Sequence, residues 1–385
     1  MHVTVPTVKT LTKLSTARDL TFDVVMLTTV HQAVDVRIFD REAKALGQAG
    51  LTVCIIGPHH KSEYCEGIRI EALPTPTNRV SRLLLGFTML KLARQCPSKL
   101  YTFHDPELFG VGLVLRLLGR KVIYDCHENT PMTMLQKQWI PRPLRLVAAS
   151  MVAVVEWLGS RVLTGIVTVD KRLQERFPRG RTIVVRNLPP ASVLHATVCV
   201  PSVQSRANAV IYAGKLSRIR GISEVVEAFR GIHSDAELWL VGEFSEPGFQ
   251  QEILSSLPSN VKWFGHKKWI DVLHLYGRAK VAVVLHHPTP NHRNAMPIKL
   301  FEYLGAGLPV IASDMPQFRE LLQGCGVQVN PMDVTQIRAT IEEMLSDEDK
   351  MAEMSRLGRE RIMTSFRWED ESRILIDFYT KLTVA

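Results

Sequence analysis

One stretch, residues 281–313, limits most strongly what this chain can fold into. It opens with an apolar strand at 281–285 and runs into a loop rich in His, Pro and Asn. A short helix then begins near Pro297. The helix pattern ends at a Gly-Ala-Gly run, which suits a left-handed C-terminal cap, and residues 308–312 form a second apolar strand. Two buried strands joined by a helix predict a parallel α/β sheet.

The start of this helix is a predicted anion site. Unpaired N–H groups at a helix N-terminus attract anions, and proline is tolerated in the first turn because its missing N–H would be unpaired anyway. Lys299 adds a positive charge, and Glu302 shares its helix face. A cation beside a carboxylate suits the diphosphate and ribose of a nucleotide. The alternative is a solvated Lys–Glu pair, which is common on exposed helices.

The strand–helix alternation continues along the whole chain of 385 residues, a length that suggests two domains. In chain order, the pattern predicts a leader at 1–20, a Rossmann-like domain at 21–190, a linker at 191–208, a second Rossmann-like domain at 209–365 and a terminal segment at 366–385.

Ionisable side chains follow the strands of the first domain. The loop after the first strand, at residues 22–28, carries His31, Asp35 and Arg37. His104 and Asp105 follow the strand at 100–103, and His127 and Glu128 follow the strand at 121–124. Since ligands bind at the carboxyl ends of parallel strands, these residues predict a site. A structural salt bridge is the alternative role for Asp35 and Arg37, and a structural role is the alternative for either histidine.

In the second domain, glycine turns follow the strands. The strand at 209–212 leads into a loop that contains Gly214 and is bracketed by Lys215 and Arg220. The strand at 237–241 ends at Gly242, and the strand at 261–264 is followed by a glycine and His266.

The run PIKLFEY at 297–303, followed by GAGLPVIAS at 305–313, resembles the donor-site signature of family 4 glycosyltransferases, which are retaining enzymes of the GT-B fold. The resemblance extends over residues 22–382 and is strongest from residue 209 onward. It implies that Glu302 is the second Glu of the family's Glu-x7-Glu motif, the one that holds the ribose. Asn294 stands where the family has the first Glu. An Asn side chain still donates and accepts hydrogen bonds, so its role with the donor sugar is kept with a different selectivity.

The resemblance also implies an architecture: two Rossmann-like domains with parallel sheets facing a central cleft. The acceptor belongs to the first domain and the nucleotide sugar to the second, and a final helix at 366–385 crosses back to the first domain. Lys215 and Arg220 match two basic residues that neutralise the donor diphosphate, with the residue types exchanged. His127 matches a His that contacts the transferred sugar.

Three groups of site residues are therefore expected. The catalytic group is His127, Lys215, Arg220 and Glu302. The donor-binding group is Gly214, Lys215, Arg220, Gly242, His266, Asn294, Pro297, Ile298, Lys299, Leu300 and Glu302. The acceptor-side group is His31, Asp35, Arg37, His104, Asp105 and Glu128.

The implied activity is transfer of a sugar from a nucleotide-diphosphate sugar to a glycan or lipid-linked acceptor, in the synthesis of cell-surface polysaccharides or glycoconjugates. We expect no metal and no cofactor, because Lys215, Arg220, Lys299 and the helix start can neutralise the diphosphate. One alternative is a sugar-nucleotide epimerase or hydrolase that uses Asp105 and Glu128 as a carboxylate pair. The other is a non-catalytic protein that binds nucleotide sugars or nucleic acid.

Charge and cysteine content narrow the partners and the compartment. The net charge of +9 favours anionic partners, and without a nucleic-acid motif we expect no nucleic acid. Six cysteines without a C-x-x-C pair, and an N-terminus without a signal peptide, predict a cytoplasmic protein.

A candidate for membrane contact is the segment at 139–161. Trp139, Arg142 and Arg145 precede an apolar run at 146–155, and Trp157 and Arg161 follow it. The run is too short to span a bilayer, so it predicts a helix that lies at the inner face of an anionic membrane. A buried core helix is the alternative.

Overall fold

The structure is a computed structural model that describes residues 21–76, 78–137, 140–189 and 202–384, apart from the side chains of residues 79, 80, 83, 136 and 294. The predicted leader, Trp139 and most of the predicted linker lie outside the described residues. The chain divides into two compact units. Among the described residues, unit 1 comprises 21–128, 151–184 and 374–384, and unit 2 comprises 129–150 and 185–373. The predicted first domain ran unbroken to residue 190, whereas residues 129–150 group with unit 2.

An eight-stranded sheet organises unit 1. Its strands are β1 Phe22–Leu27, β2 Val53–Pro58, β3 Glu63–Cys65, β4 Ile68–Leu73, β5 Ser98–Phe103, β6 Lys121–Cys126, β7 Gly165–Thr168 and β8 Thr182–Val184. The spatial order is β3-β4-β2-β1-β5-β6-β7-β8, and every pair is parallel except β3–β4. This antiparallel edge hairpin was not predicted from the sequence.

Helices cover the strands of unit 1. They are α1 Lys44–Gln48, α2 Arg79–Gln95, α3 Phe109–Leu117, the second half of α5 Arg142–Val162, α6 Lys171–Gln174 and the last part of α14 Trp368–Val384. The helix that follows the loop after β1 begins as a π-helix, Val36–Ala43, which continues into α1. Asp35 caps it, because its side chain accepts hydrogen bonds from the N–H groups of Arg37 and Ile38.

The expectation that no apolar segment reaches the length of a membrane span was wrong. By length and composition alone, α5 is long and apolar enough to cross a membrane. In the sequence, Glu156 interrupts the apolar run after residue 155, whereas the helix continues to Val162.

Unit 2 contains a six-stranded, fully parallel sheet. Its strands are β9 Ala207–Ala213, β10 Glu237–Val241, β11 Val261–Trp263, β12 Ala279–Val284, β13 Val310–Ser313 and β14 Gly326–Val329, in the order β11-β10-β9-β12-β13-β14. Its helices are α4 Thr130–Gln136, α7 Ile222–Arg230, α8 Pro247–Ser255, α9 Trp269–Tyr276, α10 Ile298–Gly305, α11 Arg319–Leu322, α12 Val334–Ser346, α13 Glu348–Ser365 and the first parts of α5 and α14.

The predicted helix 297–305 is α10, and its left-handed C-terminal cap is confirmed. Gly307 has φ +68°, its N–H bonds to the carbonyl of Leu304, and the N–H of Leu308 bonds to the carbonyl of Tyr303. This double hydrogen bond is the Schellman arrangement, which needs glycine at the left-handed position.

Each sheet reverses its strand order at one place. In unit 1 the chain first builds outward from β1 through β2 and then from β5 on the other side; in unit 2 the reversal lies between β9 and β12. At such a point the loops leave the sheet in opposite directions, which opens a crevice beyond the carboxyl ends of the strands. The residues that follow β1, β5, β9 and β12 are therefore placed to form sites.

Candidate functional site

In unit 2, Lys299 is buried at the start of α10 and reaches the end of β9. Its Nζ donates a hydrogen bond to Tyr212 Oη at 2.9 Å and lies 4.1 Å from the centroid of the Tyr212 ring. Tyr212 Oη donates in turn to the backbone carbonyl of Lys215 at 3.0 Å. The helix therefore holds an ammonium group against the loop that follows β9.

A second cation reaches the same loop. Arg220 Nη1 donates to the carbonyl of Lys215 at 3.3 Å. A Cβ placed on Gly214 would lie 2.5 Å from Lys299 Nζ and 3.9 Å from Arg220 Nη1. Both groups thus converge on the backbone of Gly214, which has φ +133°, a conformation that favours glycine. The side chain of Lys215 itself is exposed.

The three positive charges around this loop are not balanced by ion pairs within the described part of the chain. Across the described residues, no carboxylate forms a salt bridge with Lys215, Arg220 or Lys299. Burial lowers the pKa of Lys299, and the charge of Arg220 acts in the same direction, against the opposing effects of Tyr212 and Glu302. A bound anion would relieve this repulsion, so the cluster suits a diphosphate.

Glu302 lies one turn further along α10, half-buried, and its charge acts on Lys299, as expected for residues that share a helix face. Pro297 is the N-cap residue of the helix, and Ile298 is its first residue. Leu300 is fully buried in the hydrophobic core and its N–H bonds to the carbonyl of Pro297, so its side chain has a packing role. The backbone of Asn294 belongs to a short 3₁₀ turn, while its side chain is not among those described.

Two histidines follow β12 that were not predicted as site residues. The rings of His286 and His292 stack with centroids 4.5 Å apart. Burial, followed by the charge of Lys299, holds the pKa of His286 well below its usual range, so this ring is neutral. Its position beyond β12, at the strand-order reversal, was the available signal.

The glycine turns after β9, β10 and β11 lie side by side. Gly214 N–H bonds to the carbonyl of Val241, and Gly242 N–H bonds to the carbonyl of Gly265. A Cβ on Gly242 would lie 2.1 Å from the carbonyl oxygen of Gly214, so this close approach requires glycine. His266, the next residue along, is exposed.

In unit 1, Asp105 fastens the loop after β1 to the end of β5. Its Oδ2 accepts hydrogen bonds from Thr28 Oγ1 at 2.8 Å, Thr29 N–H at 2.6 Å and Val30 N–H at 3.2 Å. Its Oδ1 lies 3.7 Å from His31 Nε2. This carboxylate positions His31 at the edge of the sheet.

His31 lies between two carboxylates. Its Nδ1 is 3.6 Å from Asp35 Oδ2. The contact with Asp35 raises the pKa of His31, and the charges of Asp105 and Glu128 add to the effect. Burial opposes ionisation of Asp35, but His31 and two backbone N–H groups lower the pKa of Asp35 to about 2.

Arg37 forms salt bridges, one of the two roles left open for it, but its partners are Asp125 and the buried Glu42 rather than Asp35. Its Nη2 and Nε contact the two carboxylate oxygens of Asp125 at 2.9 and 3.2 Å, and His104 Nδ1 lies 3.1 Å from the same carboxylate. All four residues are buried. Burial opposes the charge on Asp125, but Arg37 and His104 hold the pKa of this carboxyl well below its usual range. The sequence reading did not select Asp125.

His127 is the group of this cluster that meets His31, with ring centroids 5.2 Å apart in an edge-to-face contact. Burial lowers the pKa of His127 to about 4, and the charge of Asp125 opposes this only in part. Within the described part of the chain, its buried Nδ1 has no hydrogen-bond partner. At neutral pH it is therefore an uncharged hydrogen-bonding group.

Two groups of side chains have spacings that a metal ion could use. Ligand atoms of His104, Asp125 and His127 lie within 4.8 Å of one another, as do those of a second group, His59, His60 and Glu63. In the first group, however, the carboxylate already binds the guanidinium of Arg37, whose charge opposes a divalent cation.

An Asp-x-Asp run occurs at 347–349, but it opens helix α13, where the carboxylate of Asp347 accepts from the N–H of Lys350. The carboxylate pair that an epimerase or hydrolase would need is not favoured either. Asp105 is held by the backbone, while Glu128 is exposed.

Comparison with known proteins identifies a matching family model and similar solved structures. Residues 201–361 match the family model of glycosyl transferases group 1. A search of curated proteins found no match. Among solved structures, sucrose-phosphate synthase from Thermosynechococcus elongatus is similar with a TM-score of 0.75 and 17% identity, covering 94% of this chain and 99% of that one.

Two further structures are similar to this chain. HepE of Anabaena, in complex with UDP and glucose, has a TM-score of 0.68 at 15% identity, covering 93% of this chain and 99% of that one. WaaG, a glycosyltransferase involved in lipopolysaccharide biosynthesis, has a TM-score of 0.66 at 14% identity, covering 92% and 99%. These values establish the GT-B fold and confirm that prediction; assignment to family 4 stays a prediction. Residues 201–361 thus match the glycosyl transferases group 1 family, and the chain has the GT-B fold.

Proposed function

We propose that this protein is a retaining glycosyltransferase that moves a sugar from a nucleotide-diphosphate sugar to a glycan or lipid-linked acceptor. The observation that carries the proposal is the convergence of Lys299 and Arg220 on the backbone of Gly214, with no carboxylate partner among the described residues. HepE, of the same fold, was solved with UDP and glucose.

The cations of unit 2 act on the leaving group. As the bond between the sugar's anomeric carbon and the diphosphate oxygen breaks, negative charge grows on the diphosphate. Lys299 and Arg220, with exposed Lys215 nearby, stabilise that charge in fixed positions, so little reorganisation is needed during the reaction. Glu302 holds the ribose hydroxyls, and the turns at Gly214 and Gly242 let the backbone approach the nucleotide.

Retention of configuration follows from attack on the face that the diphosphate leaves. The acceptor oxygen bonds to the anomeric carbon, and its proton passes to the departing phosphate oxygen. This balances atoms and charge without a protein nucleophile. His127, uncharged at neutral pH, donates or accepts a hydrogen bond with the transferred sugar, and His31, held by Asp35 and Asp105, contributes to the acceptor side.

No metal and no cofactor take part in this scheme, since the positive charge that a metal would supply comes from side chains. Nucleic acid is not a partner. We place the enzyme in the cytoplasm, peripheral to the inner face of the membrane, where lipid-linked acceptors for polysaccharide or glycoconjugate synthesis are presented. The net charge of +9 supports that location.

A thermal-shift panel of nucleoside diphosphates and nucleotide sugars tests the donor class, because a ligand that binds the native state stabilises it by mass action. We expect at least one nucleoside diphosphate to raise the Tm in wild type and much less in Lys299→Met. NMR of the product with a nucleotide sugar and acceptor should then show the donor's anomeric configuration. Free sugar or an epimerised donor without acceptor would support the hydrolase or epimerase instead.

A further inference from the structure

Helix α5 buries its acidic side chain and exposes apolar ones, the reverse of an ordinary surface helix. The acidic residue is Glu156, which is 1% exposed and accepts a hydrogen bond from Tyr124 Oη at 3.1 Å. Gly159 packs so closely that a Cβ there would lie 2.6 Å from the ring of Phe109. The outward side is apolar, with five side chains between 47% and 65% exposed: Met151, Val154, Val155, Leu158 and Val162.

The apolar surface extends onto the neighbouring helix. Arg116 of α3 donates through Nε to the carbonyl of Val162 at 3.0 Å, which ties the two helices together. Beside it, Leu117 is 85% exposed, and Leu118 follows it. Exposed apolar surface that spans two helices is uncommon on a protein without a partner for it.

Arginines gather at the C-terminal end of α5. Arg161 Nη1 donates to the carbonyl of Trp157 and its guanidinium lies 3.7 Å from the centroid of the Trp157 ring. Arg181 Nη1 donates to the carbonyls of Arg161 and Leu163 at 2.9 and 3.2 Å. Both guanidinium groups are held by neutral acceptors, which fixes their positions and leaves their charge in place.

The charges at this end of the helix match an anion. In the ranges that the structure describes, neither Arg161 nor Arg181 forms a salt bridge with a carboxylate. Together with Trp157, Arg176 and Phe177, they line a groove of about 590 Å³, whose one carboxylate is Glu175. This volume accommodates a phosphate headgroup.

The same charges disfavour a second copy of the chain as the partner. The basic residues of α5 are all arginines, Arg142, Arg145 and Arg161, while its one acidic residue is turned inward. Two such helices packed on each other would bring arginines together in either direction. An anionic membrane offers both an apolar interior and phosphate groups.

We propose that α5 docks on an anionic membrane, with its apolar side entering the interface and Arg161 and Arg181 binding a phospholipid phosphate in the adjacent groove. This inference rests on the peripheral membrane location given in the proposed function and makes it more specific. It places the contact on a defined helix and assigns a headgroup site to unit 1.

Vesicle flotation tests this without substrate. Wild type should float with phosphatidylcholine vesicles that contain phosphatidylglycerol and not with phosphatidylcholine alone. Arg161→Gln with Arg181→Gln should weaken partitioning by about 30-fold, since each basic residue near an anionic surface contributes about 1 kcal/mol. Val154→Ser with Leu158→Ser should weaken partitioning by about tenfold or more, because burial of apolar surface contributes free energy in proportion to its area.

The control is Arg356→Gln with Arg373→Gln, which removes the same charge from arginines that already have carboxylate partners. It should change partitioning by less than about threefold. Equal loss in this control, flotation without anionic lipid, or unchanged flotation of the Arg161/Arg181 variant would overturn the proposal. So would light scattering that shows a dimer dispersed by the Val154/Leu158 change. Nucleoside diphosphate stabilisation in each variant shows separately whether the donor site is intact.

Discussion

Both units place charged side chains beyond the strands at which their sheets reverse order. The charges of unit 1 have ion-pair partners, whereas those of Lys299 and Arg220 in unit 2 have none among the described residues. In unit 1, Arg37 forms ion pairs with Glu42 and with Asp125, which also binds His104. In unit 2, Lys299 and Arg220 are held by a tyrosine hydroxyl and a backbone carbonyl, which leave their charges unpaired among the described residues. A buried ion pair is part of a scaffold, whereas fixed cations without a counter-charge are suited to bind an anion.

The largest effect expected from this contrast is on stability in unit 1. Arg37→Met removes the guanidinium that pairs with the buried carboxylates of Asp125 and Glu42, and it should lower the free energy of unfolding by about 3–5 kcal/mol. Chemical denaturation measures it, and adding Asp125→Leu should recover part of the loss. If Arg37→Met unfolds like wild type, the ion pair is not a scaffold.

In unit 2 the corresponding changes should affect activity instead. Lys299→Met and Arg220→Gln should each lower the transfer rate by about 10²-fold or more, because each removes a charge from the leaving diphosphate. The Tm should hold or rise for Lys299→Met, since replacing a buried charge with an apolar group of similar size is often stabilising. Arg356→Gln serves as the control. Near-wild-type rates in both variants would contradict the assignment of the cations.

Glu302 sharpens the comparison within the donor site. Its carboxylate should make the protein prefer a ribonucleotide over the 2′-deoxy analogue by about tenfold, because charged hydrogen bonds contribute about 1.5–3 kcal/mol. Glu302→Gln keeps the helix and should erase most of this preference. Calorimetric titration of both nucleotides decides it; equal wild-type affinities would remove Glu302 from the ribose.

The contribution of the His31–Asp35 ion pair to the free energy of unfolding should be small and should depend on pH. Asp35→Asn keeps the helix cap but loses the ion pair, at a cost of up to about 1 kcal/mol. The pKa of His31 is raised in the fold, so this stability is fully present below its ordinary value of about 6.5 and is lost as pH rises through the folded value. The cost should therefore be larger at about pH 6 than at about pH 9. A cost independent of pH would mean that the pair contributes nothing.

Chelation should produce no effect at all. If side-chain cations neutralise the diphosphate, transfer should persist in excess EDTA. Complete loss that added Mg²⁺ or Mn²⁺ restores would show that Lys299 and Arg220 are insufficient, and would weaken the contrast between the units.

Much of this arrangement was predictable from the sequence, because the informative signals were local. The run from Pro297 to Gly307 specifies a helix, its cap and a charged face within eleven residues, and the structure has them. The pairing of Arg37 with Asp125 was not predictable in this way. The two residues lie 88 positions apart, and nothing near either one in the sequence indicates the other. The contact between Tyr212 and Lys299 was not predictable for the same reason, since it depends on how α10 packs against β9.

The backbone at Gly214 has a consequence for evolution and engineering of donor choice. Any side chain there would have to adopt φ +133° and occupy the space of the Lys299 ammonium group. Variation in sugar or base preference therefore has to arise elsewhere. The loop after β12, with its stacked His286 and His292, is the adjacent segment, and the charge of Lys299 acts on His286. Libraries aimed at new donors should keep residue 214 constant and diversify that loop.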